Sequence, residues 1–156
     1  MDKPELTKEL ARARRIVFLL LKIRNRSEKE IRDRLKLKGF DSIVIEKTLQ
    51  YFKDAQFIDD RQFAKWWIDV RLLKPFGFNR IKFELKSKGI SDDILNEALP
   101  EASNQTSEIL LVDMLVKKRQ PRYKNLDKLT MKRRLFDYLA RRGFSSESIN
   151  QVIQKL

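Results

Sequence analysis

The chain has 156 residues, 42% hydrophobic and 37% charged, and contains no Cys and no His. The hydrophobic share can fill a core and excludes a disordered chain, while the missing residue types exclude disulfides, thiol catalysis, His-based acid–base chemistry and zinc sites. Thirty-five Lys and Arg against 22 Asp and Glu give +13, which divides into +4 over residues 1–60, +3 over 61–100 and +6 over 101–156.

A basic excess spread along folded segments, and not confined to a tail, points to a polyanionic partner. The longest apolar run, Ile16 to Leu21, is far too short to span a bilayer. Met1 to Glu5 leads straight into a charged helix, with no sign of a signal peptide. The expectation is a cytoplasmic protein, without a membrane segment, cofactor or metal.

Few Gly and Pro, with abundant Leu, Lys, Arg, Glu and Ile, favour helix throughout. The first predicted helix runs from about Pro4 to Lys22, with Leu6, Leu10, Ala13, Val17 and Leu20 on one stripe. Ser27-Glu28-Lys29-Glu30 is a capping box that starts the next helix. That helix ends in Arg34-Leu35-Lys36-Leu37-Lys38-Gly39-Phe40, and a third follows. The pattern then returns. A helix from about Asp60 to Lys74 carries Phe63, Ala64, Trp67 and Val70, Phe76-Gly77-Phe78 marks a turn, and Glu84-Leu85-Lys86-Ser87-Lys88-Gly89-Ile90 closes the next helix. A last leading helix covers about Asn104 to Lys118 with Ile109, Val112, Leu115 and Val116, and Tyr138-Leu139-Ala140-Arg141-Arg142-Gly143-Phe144 ends the helix after it. Pro100 to Gln105 and Arg119 to Leu126, which contains Pro121, read as looser joints.

Aligning the three segments on Gly39, Gly89 and Gly143 reveals one unit repeated. Eight residues before the glycines stand Ile31, Ile81 and Leu135; four before stand Leu35, Leu85 and Leu139. Six after stand Ile45, Leu95 and Ile149; ten after stand Leu49, Leu99 and Ile153. Lys38, Lys88 and Arg142 suit the negative end of the helix dipole, and the glycine supplies the left-handed residue that ends it. Phe40, Ile90 or Phe144 folds back as a clamp, and Asp41, Ser91 or Ser145 caps the following helix. The predicted fold is all-α: three tandem three-helix repeats, over 1–58, 59–103 and 104–156, forming an elongated, curved array.

No phosphate loop and no nucleophile motif occurs, so catalysis is not expected. Asp59-Asp60 lacks further converging carboxylates for a metal and reads as a cap on the helix of Phe63 and Trp67; Asp92-Asp93 reads the same way. The helix–glycine–helix element resembles a DNA-reading hairpin, yet Ser42 to Leu49 carries one Lys and one Glu, and a packing hairpin accounts for it better. The basic clusters are more informative, since they suit phosphates or an acidic protein surface. The candidates for partner or nucleic-acid binding are Arg14, Arg15, Arg24, Arg26, Arg61, Arg71, Lys74, Arg80, Lys117, Lys118, Arg119, Arg122, Lys124, Arg133, Arg134, Arg141 and Arg142. Trp66 joins them: it lies about 100° from Trp67 on the helix, so with Trp67 inside it is partly exposed, as a stacking contact or a boundary residue.

Arg24 to Ile31, Ile58-Asp59-Asp60-Arg61-Gln62-Phe63-Ala64, Arg80 to Ile90 and Leu139 to Ser145 together resemble the bacterial RecX family of recombination regulators, over about residues 12 to 156. The resemblance implies tandem three-helix repeats and a modulator, usually negative, of the RecA recombinase. Such a protein binds RecA–DNA filaments, restrains ATP hydrolysis and strand exchange, and serves DNA recombination, repair and the SOS response; a monomer is expected. Arg26, Asp60, Phe63, Trp67 and Arg71 match motif positions, and no catalytic residues carry over. One departure is Ala55-Gln56-Phe57, where the family often has a glycine, which bears on the shape of that turn. Two other readings stand beside it: a basic helical-repeat nucleic-acid-binding module without a recombinase partner, and a helical scaffold for another acidic protein.

Overall fold

The apolar positions shared by the three glycine segments are the ones the fold buries. Ile31, Ile81, Leu135, Leu35, Leu85 and Leu139 are all fully inaccessible, and Phe40, Ile90 and Phe144 close over them. In the computed structural model, which describes residues 2–156, the described residues form nine α-helices, one 3-10 helix and no strand. α1 spans Lys3–Ile23, α2 Glu28–Leu37 and α3 Ser42–Asp54; α4 spans Asp60–Leu73, α5 Phe78–Ser87 and α6 Asp92–Gln105; α7 spans Glu108–Arg119, α8 Lys128–Arg141 and α9 Ser146–Ile153. The sequence-based reading of three tandem three-helix repeats is therefore what the chain adopts.

Two compact units emerge. One is the chain through Trp66 together with Lys86–Ile94; the other is Trp67–Leu85 together with Leu95–Leu156. In the first, α3 lies against α1 and α2, and Ala13, Val17, Ile31, Leu35, Val44, Ile45, Leu49 and Phe52 form the core. In the second, α9 lies against α7 and α8, around Val112, Leu115, Val116, Leu135, Leu139, Ile149 and Ile153. The post-glycine helices α3 and α9 are thus arms of packing hairpins.

The helix ends follow local chemistry. Ser27 and Glu30 form the reciprocal capping box that the sequence announces. Ser145 accepts from the Ser148 amide and Ser91 more loosely from the Ile94 amide, whereas Asp41 makes no side-chain cap. Asp59 caps its own helix, α4, accepting from the amides of Arg61 and Gln62. Asp60 does not share that role: its carboxylate accepts from the Glu28 amide at the start of α2. Burial raises the Asp60 pKa, with nearby Glu28 and Asp59 adding to the rise and that amide opposing it.

The three glycines share a left-handed backbone, with φ of +80° at Gly39, +81° at Gly89 and +86° at Gly143, but not a setting. A Cβ on Gly39 would meet nothing, whereas one on Gly89 would lie 2.6 Å from the Lys29 side chain and one on Gly143 2.3 Å from that of Arg80. Each later turn docks onto the start of the preceding repeat's middle helix. The Lys88 carbonyl accepts from Ser27 Oγ, while the Arg142 and Gly143 carbonyls accept from the amides of Gly77 and Asn79.

Beyond the caps at Asp41 and Asp60, three further local expectations need revision. Pro100 to Gln105 is not a loose joint but the end of α6, with Pro100 inside the helix. Pro100 and Asn96, whose carbonyl loses its partner, both lie on the exposed side, where water can serve. Within Arg119 to Leu126, Gln120–Tyr123 forms the 3-10 helix. Trp67 is only half-buried; the buried residue beside it is Ile68, 2% exposed. At the departure from the family pattern, Gln56 itself takes the left-handed conformation, φ +58°, at a cost of about 1 kcal/mol relative to glycine.

Candidate nucleic-acid interface

The basic residues singled out by the sequence fall into chemically different groups. Arg24 and Arg26, in the turn before α2, converge on one carboxylate. Arg24 Nη2 lies 2.6 Å and Arg26 Nη1 4.0 Å from Glu30, and Lys88 adds a third cation at 3.0 Å. Burial pushes the Glu30 carboxyl up, but hydrogen bonds from Arg24, Lys88 and the Ser27 amide outweigh it and hold the group at about 2. Burial and neighbouring Arg24 lower the Arg26 pKa, with Glu30 opposing.

Arg71 and Arg80 repeat the arrangement on Glu84. Arg71 donates to both carboxylate oxygens, at 2.6 and 2.9 Å, Arg80 donates at 3.1 Å, and Trp67 Nε1 donates at 3.0 Å. Burial again raises the carboxyl and the two guanidinium hydrogen bonds overcome it, leaving the pKa below its ordinary value. These arginines hold the fold: each is engaged by a carboxylate, although two cations on Glu84 and three on Glu30 leave each cluster net positive.

A third group is not matched. Lys118, Arg119, Arg122 and Arg142 line one pocket of about 170 Å³ with Pro75, Leu115 and Tyr138. No carboxylate lines it. The Arg119 guanidinium lies over the Tyr138 ring at 3.9 Å, and Arg142 lies 5.2 Å from that ring and 5.0 Å from Phe76. Arg142 Nε donates to the Tyr138 hydroxyl at 2.9 Å and its Nη1 to the Pro75 carbonyl at 3.4 Å; Arg119 Nε donates to the Tyr123 hydroxyl. Ring faces and neutral oxygens thus position these guanidinia without cancelling their charge. Tyr138, accepting from Arg142, keeps its own proton to donate. The arrangement provides forked N–H donors, a hydroxyl and concentrated positive charge, which suits an anion such as a backbone phosphate.

The remaining candidates do not join this pocket. Lys117 pairs with Asp113 at 2.6 Å and, with Lys124, borders a separate cavity of about 330 Å³. Arg133, Arg134 and Arg141 stand exposed on α8, Arg61 on α4, and Lys74 follows α4. Trp66 is half-buried, its ring 5.7 Å from Phe63. Arg14 stacks on Tyr51 at 4.0 Å, and Arg15 is exposed beside it on α1. The sequence reading missed Tyr138, Pro75 and Phe76, whose ring carries Arg71, Arg80 and Arg142 at 5.2, 4.2 and 5.0 Å. Phe76 had shown itself only as part of a turn. No group of three or more metal-ligating side chains occurs, and no helix is long and apolar enough to cross a membrane, among the described residues.

Comparison with known proteins agrees with this architecture. Family models described as the first, second and third three-helix domains of RecX match residues 13–52, 59–99 and 112–153. A protein named regulatory protein RecX from Prosthecochloris aestuarii is 36% identical over 137 residues, 87% of either chain. One of the same name from Amycolatopsis mediterranei is 33% identical over 92% of this chain and 82% of that one. Against the Clostridium beijerinckii protein of that name identity is 33%, over 84% of this chain but only 62% of the relative's length. The crystal structure of RecX from Lactobacillus salivarius superposes with a TM-score of 0.84 at 22% identity, covering 96% of this chain and 97% of the other, and so shares the fold. With all three domains matched in order, and with relatives alike over most of their length, the chain belongs to the RecX family of regulatory proteins.

Proposed function

We propose that this protein binds RecA–DNA filaments and restrains recombinase ATP hydrolysis and strand exchange, acting as a cytoplasmic monomer in recombination and repair within the SOS response. Family membership supports the regulatory role. The observation that carries the binding mode is the acid-free pocket of Lys118, Arg119, Arg122 and Arg142, preorganised around Tyr138. A filament carries the phosphates of its DNA, and these neutralise this charge. The experiment is the single-strand-dependent ATPase rate of the cognate RecA on preformed filaments, with this protein added well below one per recombinase subunit. A fall at those ratios is expected. An unchanged rate up to equimolar folded protein would sink the proposal.

The same pocket also favours a second reading, a nucleic-acid-binding module that needs no recombinase. Fluorescence anisotropy with an oligonucleotide alone separates the two. Autonomous binding through about five phosphates has a log–log salt slope near −3.5, whereas filament docking requires RecA to be present.

A further inference from the structure

The flank of α1 beside the core, where the half-exposed Phe18 meets the buried Phe52 ring at 4.8 Å, is not the polar face that a surface helix needs. Ala11, Arg15, Phe18 and Lys22 follow one another along it at spacings of three and four residues, with Leu19 alongside. Phe18 is 46% and Leu19 58% exposed. Phe57, 57% exposed, comes in from the turn after α3, its ring 5.9 Å from that of Phe18. That turn is the one in which Gln56 holds a left-handed conformation. These side chains, with Arg14 and Leu21, border a groove of about 700 Å³. Its charged border is Arg14, Arg15 and Lys22; among the described residues none of the three has an ion-pair partner, and no acidic residue lines the groove.

We propose that this groove docks an amphipathic helix of a protein partner, whose apolar stripe sits on Phe18, Leu19 and Phe57 while flanking carboxylates meet Arg15 and Lys22. The charge on the border selects an acidic occupant. A second copy of this chain, itself at +13, brings the wrong sign. A bilayer is flat, and a concave groove is filled better by protruding side chains. No strand edge exists among the described residues for an extended peptide to join. From Ala11 to Lys22 the groove runs about 16 Å, three turns of a docked helix. Arg15 and Lys22, two turns apart, define the register of the acidic positions. The groove belongs to the unit that holds α1–α3, and the acid-free pocket to the other, so each can be tested without the other.

The probe is a fluorescein-labelled helical peptide of about 16 residues, with Leu and Phe at i, i+4 and i+7 and Glu on the flanks. Its anisotropy is followed with the full chain. Saturable binding is expected, weakened about tenfold or more by Leu19→Glu, by the pair Arg15→Glu and Lys22→Glu, and by replacing the peptide's Glu with Lys. Leu19, Arg15 and Lys22 are exposed, so circular dichroism should show each variant folded, and either variant set suffices if the other fails to fold. Absence of binding overturns the proposal, as does equal affinity for the Glu and Lys peptides. Sedimentation showing a dimer that Leu19→Glu dissolves, or Leu19-dependent binding to anionic vesicles in place of peptide, likewise overturns it and assigns the groove to that occupant.

Discussion

The cations around Glu30 and those around Tyr138 look alike in sequence, as short runs of Lys and Arg near a helix end, yet they do opposite work. Arg24, Arg26 and Lys88 surround a carboxylate whose own side chain is only 18% exposed; they are engaged in joining the start of α2 to the glycine turn at Gly89, although one carboxylate offsets only part of their charge. Arg119 and Arg142 are held by ring faces and hydroxyls, and their charge remains available. Arg71 and Arg80 touch a ring as well, but the carboxylate of Glu84 engages them; Arg119 and Arg142 have rings and neutral oxygens alone. The number of basic residues therefore says less about binding than what orients them.

The comparison breaks first if the carboxylates prove dispensable. Glu30→Ala leaves three cations facing one another and should destabilise the fold by about 3 kcal/mol, read as a fall in urea midpoint, with oligonucleotide affinity per folded molecule unchanged. A loss of affinity without a loss of stability would reverse the assignment. Next in size, joint substitution of Lys118, Arg119 and Arg122 by Glu should weaken oligonucleotide or filament binding about thirtyfold and flatten the log–log salt slope by about 2, with little change in thermal midpoint. Lys117, engaged by Asp113, is left untouched as an internal reference.

Acid sharpens the contrast. The Glu30 carboxyl sits at about 2 against an ordinary 4.5, so its contribution is complete above 4.5 and is lost as pH falls toward 2. Glu84, also lowered, loses stability in the same direction; Asp60, raised by burial, works the other way and offsets part of the loss. Between about pH 6 and pH 3, wild-type stability should fall by more than that of Glu30→Gln, by about 2 kcal/mol in a urea titration. The smallest effect is expected at Arg134 on the open face of α8: Arg134→Ala should change stability by less than about 0.5 kcal/mol and oligonucleotide affinity by about twofold.

Much of the fold was legible because its signals are local. A helix reads its own i, i+4 pattern, a capping box spans four residues, and a glycine at the end of a helix predicts the left-handed turn, so the repeats and their buried stripes were visible in the chain. Pro100 misled for the complementary reason: a proline on an exposed helix face can be tolerated, and exposure is not a local property. The candidate site was half legible. The basic residues announced themselves, but their partners Glu30 and Glu84 lie on other turns or helices, and Tyr138 and Phe76 carried no signal beyond apolar pattern and turn.

By itself, then, the sequence determined helix, repeat and charge, since each depends on neighbours within a turn or two of the chain. Which cations are held by an acid and which by rings and neutral oxygens depends on residues as distant as Pro75 and Arg142, or Glu30 and Lys88. The glycines make the same point. Gly39, Gly89 and Gly143 are equivalent in pattern and in φ, but only the latter two lie where a Cβ would strike another helix. Close approach between distant segments is decided by packing, and only the tertiary structure could show it.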